Sequence, residues 1–183
     1  DENITHVDGT VNPVRDKEII DLELQLKDLE TIENRLSKVQ KQAQTGGDKM
    51  AKKLVGVLNA YKEVLLEGRS AREVTFETPD EIKLAKELSL LTAKPVLYVC
   101  NVDEGSAATG NKYVEEVREA IKNEGAEILV IAAKIESEIA ELEDYEERQM
   151  FLQEIGLVHS GVESLIKRAY SLLNLQTYLT AGE

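Results

Sequence analysis

Apolar residues at Ile19, Leu22, Leu26, Leu29, Ile32, Leu36, Val39 and Ala43 recur in steps of three and four, the spacing that lines one face of an α-helix. The pattern predicts a helix of about 28 residues, roughly 40 Å long at 1.5 Å of rise per residue. Asp16, just after Pro13, is its expected N-cap. Thr45-Gly46-Gly47-Asp48 interrupts the stripe: two glycines permit a chain reversal, and Asp48 can cap a following helix. Met50, Leu54, Val57, Tyr61 and Val64 then resume the stripe, with Leu58 and Leu65 beside them. Two such stripes joined by a short turn predict an antiparallel coiled-coil hairpin, an arm and not a core element.

After Gly68 the chain reads as a connector up to Thr78-Pro79-Asp80-Glu81, which has the residues of a capping box with proline at the first helical position. A helix through Leu90 or Leu91 should follow. The period then changes. Val96 to Cys100 and Ile128 to Ala132 are short continuous apolar runs, expected of strands buried on both faces of a parallel sheet. Between them Asn111 to Glu124 reads as a helix with Tyr113, Val114, Val117 and Ile121 inward, and helices are expected near 136–142, 144–154 and 161–173. Strand, helix, strand, helix is the order of a doubly wound α/β domain, in which ligands sit beyond the carboxyl ends of the strands. The residues to examine are therefore Asn101 to Glu104 and Ala132 to Ile135.

Composition fits this picture. A chain of 183 residues with 42% hydrophobic positions can bury a sizeable core. Its one cysteine, Cys100, lies in an apolar run and is expected to be buried and unreactive, in a reducing compartment. No apolar run approaches the roughly 18 to 20 residues that span a bilayer, and no charged-then-apolar leader opens the chain. The sequence therefore reads as soluble and cytoplasmic, with no membrane partner. It begins at Asp1, and Gln176 to Gly182 reads as the start of a further element, so both ends look cut.

Charge changes the picture more. The net charge of −13 argues against general attraction to nucleic acid. It is segregated, however: from Arg35 to Lys62 there are seven basic residues and one acid, Asp48. Five of the seven, Lys38, Lys41, Lys49, Lys52 and Lys53, fall toward the hairpin turn. A solvated face is the ordinary reading of such charges; contact with an anionic partner, RNA above all, is the functional one.

The chemistry lies at the strand ends. The first strand ends in Asn101-Val102-Asp103-Glu104 and the second in Ala132-Ala133-Lys134. In GTPase-type P-loop proteins one strand ends in Asn-Lys-x-Asp and the next in Ser-Ala-Lys, and these hold the base. Leu88-Ser89-x-Leu91-Thr92-x-Lys94-Pro95, Ile135-Glu136-x-Glu138-Ile139-Ala140-Glu141-Leu142, Gln153 to Leu157 and Leu173-Asn174-Leu175-Gln176-Thr177-Tyr178-x-Thr180-Ala181-Gly182 extend the likeness. With Ile4 to Val7 and Val11-Asn12-Pro13, the whole chain resembles the YchF-type ATPases of the Obg-related GTPase superfamily.

The resemblance implies a partial, doubly wound P-loop NTPase-like sheet carrying an inserted helical hairpin. Residues 1–14 would end the first part of the nucleotide-binding domain and 15–70 form the coiled coil. Residues 71–94 would connect and pack on the sheet, 95–175 complete the nucleotide-binding domain, and 176–183 begin a missing TGS-like domain. It also implies ATP, preferred over or alongside GTP, Mg²⁺ in the intact protein, and ribosome association. By it, Asn101 holds the base and bridges loops, Val102 supplies main-chain and apolar contact, Glu104 stands at the rim, and Ala133 and Lys134 contribute main-chain donors and stem packing. An Asp in the fourth position of the motif accepts from two guanine donors, whereas adenine sets an amino donor beside a ring acceptor. Glu104 is one methylene longer and Val102 replaces the usual Lys, so the guanine clamp is altered.

No Gly-x-x-x-x-Gly-Lys-Ser/Thr occurs, and Gly46-Gly47 belongs to the hairpin turn. The P-loop supplies most phosphate affinity and the catalytic parts in this class, so these 183 residues alone should not hydrolyse a nucleotide and no catalytic residue is expected in them. His6 and His159 stand far apart without a cysteine partner, which argues against a zinc site. Ser160, before a helix, reads as an N-cap, and the Glu138 to Glu147 acids as a solvated surface. Two alternatives remain open: a nucleotide-independent RNA- or ribosome-binding module acting through the basic tip, and a structural coiled coil that oligomerises, against the monomer expected of an intramolecular hairpin.

Overall fold

A computed structural model of the chain describes residues 9–45 and 48–181. The expectations for Ile4 to Val7, the Gly46-Gly47 turn and Gly182 fall outside them. Among the described residues there are seven α-helices and two strands, an α/β arrangement, and the chain divides into two compact units: Arg15–Pro95, and Asp1–Val14 with Val96–Glu183.

In the unit Arg15–Pro95, α1 spans Pro13–Thr45 and α2 spans Lys49–Leu66. Asp48 caps α2, its carboxylate accepting from the N–H groups of Met50 and Ala51 at 2.8 and 3.2 Å. Ile32, Val39 and Ala43 of α1 share one core with Val57, Leu58, Tyr61 and Leu65 of α2. Gln25 Nε2 donates to the Gly68 carbonyl at 3.1 Å, and Lys62 Nζ pairs with Glu33 at 2.8 Å.

Two expectations for α1 need correction. The helix begins at Pro13, whose fixed φ and missing N–H suit a first helical position, and this puts Asp16 inside the first turn and not at the cap. Ile19, Leu22 and Leu26 are exposed; the buried line runs through Gln25, Asp28, Ile32, Val39 and Ala43. The reason is reach. The α2 helix ends at Leu66 and the chain turns at Gly68, φ 72°, opposite Gln25, so earlier turns of α1 have no α2 surface to face.

Asp28 is buried and accepts from the N–H of Leu91 at 2.8 Å and from both the N–H and the hydroxyl of Thr92 at 2.7 Å. Thr92 in turn receives the Ala71 N–H on its Oγ1 at 3.1 Å and the Arg72 N–H on its carbonyl at 3.1 Å. The capping box at Thr78 and Glu81 opens α3, Pro79–Leu88. That helix stops two residues or more before the expected end because Ser89 takes a left-handed conformation, φ 51°, from which Leu90 enters the core.

In the other unit, β1 (Leu97–Asn101) and β2 (Glu127–Ile131) pair in parallel, Leu97 opposite Glu127 and Asn101 opposite Ile131. Helix α4, Lys112–Ala120, capped by Asn111, makes the crossover, with Gly125 turning at φ 64° into β2. Val102, Val114, Val117, Ile121, Ile128, Ile135, Ile139 and Leu152 form the core. Both strands sit one residue off the expected bounds, and Val99 is exposed where burial on both faces was expected, since the two-stranded sheet covers one face of β1 with its core. Helix α5 runs Ala133–Glu141, three residues earlier than expected, followed by α6, Tyr145–Glu154, and α7, Gly161–Leu172. Ser160 caps α7 by accepting from the Glu163 N–H at 3.2 Å, and Glu136 accepts from the N–H groups of Gly161 and Val162 at 2.6 and 3.2 Å. Gly161 is required by space: a Cβ there would stand 2.7 Å from Ile131 Cγ2.

Candidate functional site

Parallel strands in register end together, which brings the residues after β1 beside those after β2. Asn101 and Ile131 are partners in the ladder, and the Val102 N–H continues it to the Ile131 carbonyl at 2.8 Å. Asn101 then reaches across: its Oδ1 accepts from the Ala133 N–H at 3.0 Å, the first residue of α5. That helix has no side-chain cap of its own, so Asn101 satisfies one of its orphan donors from the neighbouring strand.

Asn101, Val102, Asp103, Glu104, Gly105, Ala133 and Lys134 line a hollow of about 360 Å³. The sequence-derived base residues all lie on it, with different surfaces available. Asn101, Glu104, Ala133 and Lys134 are exposed, whereas the Val102 side chain is buried in the core and its N–H is engaged. Lys134 Nζ forms an ion pair with Glu104, tying the turn after β1 to the first turn of α5. The Glu104 carboxylate, hydrogen-bonded and close, holds the Lys134 ammonium above the ordinary lysine value, with Glu138 adding to it.

Sequence reasoning passed over Asp103. Its carboxylate accepts from the Ser106 N–H and hydroxyl, both at 3.0 Å, and so starts the short 3-10 turn Glu104–Ser106 that carries Glu104. The signal was available: an acid followed three residues later by serine beside glycine is a turn-starting pattern. Cys100, on β1, is half-buried; burial pushes its thiol up, and Arg118 opposes that more weakly. His159 contacts Glu163 and Lys167, and among the described residues no group of three His, Cys, Asp or Glu side chains could hold a metal. No helix among them is long and apolar enough to cross a membrane.

The basic residues lie on α1 (Lys38, Lys41) and α2 (Lys49, Lys52, Lys53), all exposed. Lys53 is not a free charge: its ammonium pairs with Asp80 at the start of α3, and that bond holds the Asp80 carboxyl below its ordinary value. Lys38 borders a second hollow of about 360 Å³ with Thr31, Asn34 and Arg35.

No family model matches the chain. Among curated proteins it is 51% identical over its whole length to the ribosome-binding ATPase YchF of Bacillus subtilis, covering 50% of that protein. It is 42% identical to the same-named protein of Escherichia coli O157:H7, over 99% of the chain and 49% of the relative, and 34% identical to Obg-like ATPase 1 of Rattus norvegicus, over 100% and 46%. The solved structure of the Schizosaccharomyces pombe YchF GTPase superposes on all of the chain and half of its own, with TM-score 0.86 and 28% identity. The chain spans about half the length of the curated relatives it matches.

Proposed function

Since the chain belongs to the YchF family, we propose that its strand ends form the base-reading half of a nucleotide site in a ribosome-associated ATPase. ATP is taken in preference to GTP or alongside it. The observation that carries this reading is the Asn101 Oδ1 to Ala133 N–H bond at 3.0 Å, which locks the two base-reading loops together at the carboxyl ends of parallel strands. Asn101 keeps its amide donors for a base, and Glu104 and Lys134 offer an acceptor and a donor on the same hollow.

Phosphate and Mg²⁺ ligands belong, on this reading, to the part of the relatives that the chain does not span, because no P-loop sequence occurs in it. A bound Mg²⁺ there would neutralise charge between the phosphates. The residues of this chain would orient the base and exclude water from it, and alone would not hydrolyse nucleotide. The domain plan follows: residues 1–14 and 95–175 in the nucleotide-binding domain, 15–70 an antiparallel coiled-coil arm, 71–94 its connector, 176–183 the start of a further domain, and the whole a cytoplasmic monomer. Titrating ATP and GTP into a protein that spans the full length of these relatives tests this; binding of neither contradicts it.

The basic residues favour a second role in the same protein. Lys38, Lys41, Lys49 and Lys52 are exposed near the far end of α1 and the start of α2, where their charge suits the RNA phosphates of a ribosomal surface. Lys53 contributes less, being committed to Asp80.

A further inference from the structure

Tyr61, in the unit Arg15–Pro95, is 5% exposed, yet its hydroxyl has no hydrogen-bond partner among the described residues. No side-chain nitrogen or oxygen among them is both sealed from solvent and unpartnered, so this hydroxyl is open, and Tyr61 lines a hollow of about 470 Å³. The ring stands edge-on to Phe76 with centroids 5.3 Å apart, and burial pushes the phenol up, which keeps it a donor. A donor so nearly buried and still unmatched points to an acceptor brought from outside. The rest of the hollow suits an amphipathic visitor. Val74, Phe76, Ala85 and Leu90 give it an apolar floor, while Lys86 and Lys94 are exposed on it with no ion pair among the described residues. Through Lys86 and Ile82, an aliphatic side chain 39% exposed, it joins a second hollow on α3 that Lys83 and Glu87 also line.

We propose that this groove takes an acidic peptide segment of a partner protein, held by a large apolar side chain in the Tyr61 hollow and by carboxylates on the lysines. The two hollows together follow α3 from Pro79 to Ser89, a run of roughly 15 Å that matches about five residues of extended chain. The apolar anchor packs on Phe76 and Leu90, a peptide carbonyl accepts from the Tyr61 hydroxyl, and flanking Asp or Glu side chains meet Lys86 and Lys94. Charge selects the partner. The groove is lined by three lysines and one acid, Glu87, in a chain of net charge −13. Nucleic acid would satisfy the lysines and leave the apolar floor bare; a neutral apolar ligand would do the reverse. The groove shares no residue with the four lysines assigned above to RNA, and it is independent of the nucleotide reading.

The test is fluorescence anisotropy on a protein that spans the full length of the relatives, without nucleotide. The probes are labelled peptides of about seven residues with Phe and Leu anchors among Asp and Glu, the same anchors among Lys, and the same acids with Gly in place of the anchors. The acidic, anchored peptides should bind at least about tenfold more tightly than either control. Tyr61→Phe, which keeps the ring and removes only the donor, should weaken them about threefold to tenfold. Lys86→Gln with Lys94→Gln should weaken them about tenfold and flatten the salt dependence; both lysines are exposed, so melting temperatures should match wild type and set misfolding aside. Absence of peptide binding, equal affinity for acidic and basic peptides, unchanged affinity in the double lysine variant, or displacement of the peptide by a single-stranded RNA oligonucleotide overturns the proposal.

Discussion

Asp28 and Thr92 are joined twice, the carboxylate of one accepting both the N–H and the hydroxyl of the other at 2.7 Å, 64 residues apart in sequence. The pair pins the segment leading from α3 toward β1 onto the buried line of α1, and Thr92 passes the tie on to Ala71 and Arg72. The connector that ends the helical unit is therefore held by polar bonds in a dry place, where each lost partner leaves a costly orphan.

Replacing Asp28 by Ala should destabilise the helical unit by about 3 kcal/mol, since two N–H groups and a hydroxyl lose their acceptor. Thr92→Val, which removes one donor to Asp28 and leaves the Ala71 N–H without its acceptor, should cost about 2 kcal/mol. Urea unfolding monitored by circular dichroism checks both, and equal costs for the two variants would contradict the three-donor account.

Two glycines should respond with opposite sign. A Cβ at Gly161 meets Ile131 Cγ2 at 2.7 Å and Glu136 Oε1 at 2.8 Å, so Gly161→Ala should cost about 1 to 3 kcal/mol through overpacking. Gly56, inside α2 with nothing within 4 Å of its Cβ position, should gain about 0.5 to 1 kcal/mol on substitution by Ala. Thermal melts of the two variants should move in opposite directions.

Cys100 gives a pH signature. Burial raises its thiol above the ordinary value of 9.0, so the folded state favours the protonated form. That contribution to stability is complete below the unfolded value and is lost as pH rises through the folded one. Alkylation by iodoacetamide at pH 8.5 should be several-fold slower in the native chain than in urea, because thiolate is the reacting form.

On the basic face, reversing Lys49 and Lys52 to Glu should weaken RNA or ribosome binding and lower the slope of log affinity against log salt by roughly 1 to 2 units. Lys53→Met should do less to binding and should also remove the hold on Asp80, whose lowered carboxyl stabilises above its ordinary value and ceases to as pH falls through the folded one. Unchanged binding and slope in the double reversal would remove RNA contact from the account.

Much of this was legible in the sequence where one local rule governs. Asp48, Thr78 with Glu81, and Ser160 cap helices as their sequence positions suggest, because each faces N–H groups two or three residues on; Asn111 and Asp144 do the same without having been singled out. The apolar runs gave both strands to within a residue. The α1 stripe failed below Ile32 because Gln25 and Asp28, polar in sequence, are buried by partners more than 40 residues away, which periodicity cannot see. The candidate base residues were read from motif spacing and line one hollow, but the burial of the Val102 side chain and the Glu104 to Lys134 pair, which depends on strand register, were not legible there.

The central claim is that Asn101 joins the two base loops and orients the base. Isothermal titration of ATP into the full-length protein with Asn101→Ala tests it most directly. The account predicts affinity reduced tenfold or more, about 1.4 kcal/mol or above, with the melting temperature of the nucleotide-free protein lowered by a few degrees through loss of the Ala133 bond. ATP affinity equal to that of wild type would contradict it.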